Sequence, residues 1–182
     1  MIRSALMSCG CLLVAAAARP CSIVVDPAHP RPTPQSLVRD ADAIVVATAV
    51  RTIRRADRSH GFPPLPPDAF DVDEFWNGTM EMRVDETIKG GPNPLALTLT
   101  GRLVDTDDFN RGAVPYGGAR PGAQTGACFA YEYRTGGSYL LFLKRSRGGL
   151  NPYWAPLQPV NEQLHDGADP WLLWVREQAA AK

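Results

Sequence analysis

The sequence predicts an all-β chain with a short helix near its N-terminus and another at its C-terminus. Three observations carry that expectation. Ser138-Tyr139-Leu140-Leu141-Phe142-Leu143 is an apolar run between Gly136-Gly137 and Arg145-Ser146-Arg147-Gly148-Gly149, too short for a typical helix and bulky enough for a buried central strand. Met80, Met82 and Val84 alternate with Glu81, Arg83 and Asp85, and Leu95, Leu97 and Leu99 recur at every second position up to Thr100, the period of a sheet with one wet face. Glycine (16) and proline (17) together make up 33 of the 182 residues, a density that favours turns and short strands over long helices.

The chain opens with Met1-Ile2-Arg3, a short positive start, followed by a small, apolar stretch from Ala5 to Ala18 that ends in Ala16-Ala17-Ala18. This is the pattern of a secretory signal peptide over residues 1–18, and it leaves a single domain over residues 19–182 with a periplasmic or secreted destination. The run is shorter than the ~20 residues needed to span a bilayer, and no later segment approaches that length. Cys9 and Cys11 fall inside the signal, so Cys21 and Cys128 remain, and an exported pair is expected to oxidise. Lipid attachment is the competing use. Cys21 is preceded by Ala18-Arg19-Pro20, away from the lipidation pattern, and Cys9 by Leu6-Met7-Ser8, closer to it but with few residues upstream.

Ser22-Ile23-Val24-Val25 reads as an extended strap, since Pro27, Pro30, Pro32 and Pro34 prevent a regular element from continuing. Thr33-Pro34 is an N-cap followed by a first-turn proline, predicting a short helix through Leu37 and Val38 that Ala41-Asp42-Ala43 closes. Ala43 to Val50 is apolar on both faces and must lie between other elements. Arg51 to Asp73 reads as a long loop. Its arginines could form a phosphate patch, but no aromatic platform or glycine-rich cradle accompanies them, and Pro63 to Pro67 is a stiff spacer. Lys89-Gly90-Gly91-Pro92-Asn93 joins the two alternating segments as a hairpin. Gly101 to Gly137 is polar and glycine-rich. Asn151-Pro152-Tyr153-Trp154-Ala155-Pro156 reads as an edge strand, because proline cannot donate to a ladder. Asp169-Pro170 starts a C-terminal helix carrying Trp171, Leu172, Trp174 and Val175 at helical spacing.

No constellation compels a chemistry. Asp105, Asp107 and Asp108 lie close together, but a calcium loop wants an oxygen ligand at its fifth place and glycine at its sixth, where this chain has Phe109 and Asn110. His29, His60 and His165 have no paired spacing for zinc, and no cofactor or metal ligand set is predicted. Lysine plus arginine equals aspartate plus glutamate at 19 each, so no overall field advertises nucleic acid. Tyr153, Trp154, Trp171 and Trp174 form the candidate binding surface, with a C-terminal helix laid on the core as the plainer account of the last two.

Ala41-Asp42-Ala43-Ile44-Val45-Val46-Ala47, Val84-Asp85-Glu86-Thr87-Ile88-Lys89-Gly90, and Cys128 with Gly136 and Tyr139-Leu140-Leu141-Phe142 together resemble the netrin-like, or tissue-inhibitor-of-metalloproteinases-like, OB-folds. The resemblance covers Cys21 to Lys144 and implies a five-stranded OB-type Greek-key barrel, with the N-terminal strap tied on by a Cys21–Cys128 disulfide. It also implies a protein partner. Inhibitors of this group put a mature N-terminal cysteine on the protease zinc through its free amine, whereas cleavage after Ala18 would leave Arg19-Pro20 ahead of Cys21. The expectation is therefore an exported binding or protein-interaction module rather than an enzyme. A hydrolase built on Asp85, Glu86 or the Asp105 to Asp108 cluster, a metalloprotease inhibitor, and a structural envelope component are the alternatives.

Overall fold

Thr33 takes an extended conformation and its Oγ1 accepts a hydrogen bond from Ser36 N at 3.1 Å. It thereby caps helix α1, Pro34–Asp40, whose proline occupies a position where no N–H is needed. The computed structural model describes residues 32–54, 78–124, 130–153 and 158–181. The predicted signal peptide, Cys21, His29, His60, Pro63 to Pro67, Cys128 and Trp154 lie outside the described residues. At the other end of α1, Lys89 Nζ donates to the Val38 and Arg39 carbonyls at 2.7 Å each, and Lys144 Nζ to the Asp40 carbonyl. Two cations thus meet the end of the helix where unpaired carbonyls and the dipole favour them.

Strand β1, Ala43–Arg54, follows, then β2, Thr79–Lys89, and β3, Ala96–Thr100. β1 runs past the apolar segment into Arg51 to Arg54, which corrects the reading of those residues as loop. Arg51 pairs with Glu81 of β2 at 2.9 Å. Gly90, at φ +76°, makes the β2–β3 turn, and a Cβ there would lie 2.4 Å from the Asp42 carbonyl, so only glycine lets the turn pack against the start of β1. The predicted glycine-rich connection contains β4, Arg102–Val104, helix α2, Pro121–Gln124, and β5, Glu132–Arg134. Elements of three or four residues are too short to leave a period in a sequence. Next come β6, Ser138–Ser146, and β7, Gly149–Pro152, the latter starting two residues before the predicted edge strand. β8, Asn161–Leu164, and helix α3, Pro170–Ala180, complete the chain.

The fold is mostly β. One antiparallel sheet runs β3-β2-β1-β6-β7, and β8 also pairs with β6. The far edge of β6 is shared: Ser138 to Leu141 face β8 and Leu143 to Ser146 face β7. β4 and β5 form a separate parallel pair. β6 is the central strand the sequence predicts, with Tyr139 to Leu143 all at 0% exposure.

β1 and β6 sort their alternate side chains into two apolar clusters, which is why neither shows a polar face. Ile44, Val46, Leu140 and Phe142 lie under α1 and α3, against Leu37, Trp171, Leu172 and Val175. Ala43, Val45, Ala47 and Ala49 turn the other way with Tyr139, Leu141 and Leu143, and meet Met80, Met82, Leu97 and Leu99 of the hairpin and Tyr133 of β5. Small residues on β1 leave room for the methionines and tyrosines opposite.

Asp169 caps α3, its Oδ1 accepting from Trp171 N at 2.9 Å and its Oδ2 from His165 N at 3.0 Å. Asp169→Ala should lower stability by about 1–2 kcal/mol, read as a drop in the urea midpoint without a change in slope. Among the described residues no helix is long and apolar enough to cross a membrane.

Candidate functional site

Among the described residues β3 and β7 are the outer strands of the sheet order, and residues of both line one cleft. Val84 N donates to the Leu95 carbonyl and Gly101 N to the Gly78 carbonyl. In an antiparallel ladder the bonded residues alternate, so with the registers Met82–Leu97 and Met80–Leu99 the leucines point their backbone groups at β2. The N–H and carbonyl groups of Thr98 and Thr100 then point outward. On the other side Tyr153 N donates to the Phe142 carbonyl at 2.8 Å, and the same alternation, with Lys144 opposite Asn151 and Leu143 opposite Pro152, turns Leu150 and Pro152 outward. Pro152 has no N–H to offer, so β7 presents a defective edge that cannot zip onto β3.

The result is a cleft of about 330 Å³ whose walls include Thr98, Thr100, Tyr131, Tyr133, Asn151 and Tyr153. None of the described residues that line it is charged at neutral pH. Burial pushes the Tyr131 phenol up to about 12 and raises Tyr133 as well, so both stay neutral. Tyr133 forms part of the floor, its hydroxyl accepting from Asn161 Nδ2 at 3.0 Å.

Beside the cleft lies a buried polar cluster that the sequence does not announce. Arg120 is 1% exposed. Its guanidinium donates to Asp108 Oδ2 at 2.7 Å, the Ala130 carbonyl at 2.8 Å and the Asn161 carbonyl at 3.1 Å, and its charge sits over the rings of Tyr133 and Tyr139. Glu162 is fully buried. Its carboxylate accepts from Arg120 N at 2.8 Å and Asn110 Nδ2 at 3.0 Å. Gln163 accepts from Asp108 N and donates to Asp107. Three successive residues of β8 therefore bind the segment from Asp107 to Arg120 to the sheet. Nothing local in the sequence marks Asn161-Glu162-Gln163 as a strand, because its partners lie dozens of residues away.

Burial pushes the Glu162 carboxyl up from 4.5 to about 7, helped by Asp108 and opposed by the Asn110 amide, the Arg120 N–H and the Arg120 charge. A carboxyl whose folded pKa lies above its unfolded one stabilises the fold fully below the unfolded value, and that contribution is lost as pH rises through the folded value. Stability should therefore fall between about pH 5 and pH 8, by up to about 3 kcal/mol. Glu162→Gln should flatten that slope in urea midpoints measured across the same range.

The same cluster takes up two members of the acidic group. Asp108 is held by Arg120 and by Gly122 N, and Asp107 lies 2.8 Å from Arg134 Nε. No set of three or more histidine, cysteine or acidic side chains placed to hold a metal occurs among the described residues. The carboxylates considered for hydrolysis are not brought together: Asp85 takes Thr48 and Arg83, while Glu86 pairs with Arg176 of α3. His165 stacks on Phe109 with ring centroids 3.9 Å apart.

Of the four aromatic residues predicted as a surface, Tyr153 lines the seam cleft. Trp171 does not belong to a surface at all. It is 0% exposed and packs against Tyr116, Phe142 and Trp174, so the helical spacing marked a core face. Trp174 is half-buried against it. The seam escaped the sequence because it depends on the hydrogen-bonding phase of two strands some fifty residues apart, although Pro152 was a legible sign of an edge. Comparison of the chain with protein-family models, curated proteins and solved structures returns no match.

Proposed function

We propose that this chain is an exported binding module, an OB-type barrel of the netrin-like kind whose ligand enters the seam between β3 and β7. The observation that carries this is the seam itself, a cleft bordered on one wall by backbone groups that have no partner among the described residues and on the other by a proline edge. The strand order supports the barrel. Every neighbour in β3-β2-β1-β6-β7 is antiparallel, so the two outer strands run the same way, and closure would give the cyclic order β1-β2-β3-β7-β6 with one parallel contact. Repeated register shifts along β1 against β2 supply the local bending that closure requires. The interior cluster draws on β1, β2, β3, β5 and β6, with Leu103 of β4 and Leu150 of β7 packed against it.

Export through residues 1–18 and a Cys21–Cys128 disulfide belong to the same reading. Intact mass of the secreted protein should begin at Arg19 and be lighter by two hydrogens before reduction. A mature chain starting at Cys21 would instead favour zinc capture or lipid attachment. The binding role is tested by backbone-amide NMR against a library of neutral, cationic and anionic fragments. Hits should shift the amides of Thr98, Thr100 and Asn151; a library without hits at the seam would overturn the assignment.

A further inference from the structure

Among the described residues the seam cleft has no charged lining, in a chain whose exposed sheet face carries ion pairs such as Arg51–Glu81 and Arg83–Asp85. We infer, on the reading of the seam as the binding site, that its ligand is a short neutral saccharide. An anionic ligand such as a phosphate would need a cation on the wall, and an amine would need a carboxylate; the described lining has neither. Lys144, 5.3 Å over the Tyr153 ring, is held by the Asp40 carbonyl. The walls instead offer the two things a sugar ring requires. Tyrosine supplies an apolar body with a polar tip for the C–H faces. Hydroxyls and amides, each able to donate and accept, meet the hydroxyl rim. Among the described residues, none engages the side-chain hydroxyls of Thr98 and Thr100.

The size fits as well. At about 330 Å³ the cleft sits at the lower end of the roughly 300–1,000 Å³ of small-ligand sites, which suits a short saccharide. An extended peptide could ladder onto the outward groups of Thr98 and Thr100, but Pro152 denies it a donor on the opposite wall. A saccharide uses side chains of both walls.

The test is a backbone-amide NMR titration with cellotetraose, maltotetraose and N-acetylchitotetraose. A hyaluronan tetrasaccharide serves as the anionic comparator, and an end-blocked peptide of alternating threonine and valine as the extended one. At least one neutral saccharide should give saturable shifts over Thr98 to Thr100 and Asn151 to Tyr153, and neither comparator should. Thr98→Arg and Thr100→Arg, both at exposed positions, should each weaken that binding by about tenfold or more while the melting transition stays cooperative. Failure of all three neutral saccharides, or tighter binding of either comparator, overturns the ligand class. If uncharged fragments still map to the seam in that event, the binding site stands and only the saccharide is lost; if nothing maps there, both readings fail.

Discussion

A Leu141→Asp variant is expected to yield no cooperatively folded protein. Leu141 sits on the central strand at 0% exposure, opposite Val45 of β1 and Asn161 of β8, and its side chain belongs to the cluster shared by β1, β2, β3 and β5. No described cation lines that cluster beyond Arg120, whose donors are committed to Asp108, Ala130 and Asn161. An unpaired carboxylate there costs several kcal/mol even after its pKa rises to neutralise it, a large part of the roughly 5–15 kcal/mol that holds a domain together. Leu141→Ala is the graded control. It should fold and lose about 2–5 kcal/mol, so a flat circular-dichroism melt for the aspartate variant beside a shifted but cooperative one for alanine is the expected pair of results.

Arg120→Met is expected to cost about 3–5 kcal/mol, the range for removing one partner of a buried ion pair. Methionine fills much of the volume but leaves Asp108, already drawn in against Gly122 N, without its cation, and leaves the Ala130 carbonyl without the donor from Arg120. The like charge of Glu162 nearby makes matters worse above about pH 7, where that carboxyl ionises, so the penalty should grow with pH. Arg83→Ala removes an ion pair of similar length, 2.8 Å to Asp85, but one whose arginine is 63% exposed. Solvent screens it, and the loss should stay under about 1 kcal/mol. Urea midpoints of the two variants separate a buried fastening from a surface pair.

The elements that could be read from the sequence are those whose cause is local. Thr33-Pro34 and Asp169-Pro170 are caps with a first-turn proline, and both start helices. Met80 and Met82 against Glu81 and Arg83 give the half-buried β2, and the run from Tyr139 to Leu143 gives β6. What could not be read is set by distant partners. Asn161, Glu162 and Gln163 are as polar as any loop, and they are buried because Asn110, Arg120 and Asp107 come to meet them. The same long-range pairing makes Asp107 and Asp108, to which the sequence assigned no partner, one side of two ion pairs. Trp171 shows the converse: its aromatic ring made it a candidate for a binding surface while its helical spacing pointed to the core, and it is the largest fully buried side chain of the described core.

The open seam rests on one claim about backbone phase, and native-state hydrogen exchange of β3 tests it. With Leu97 and Leu99 bonded to β2 and the amides of Thr98 and Thr100 facing the cleft, the two leucine amides should exchange slowly and the two threonine amides fast, a two-residue alternation within one strand. Protection of Thr98 and Thr100 equal to that of the leucines would mean that the edge is already paired or covered, and would contradict the cleft as a binding site.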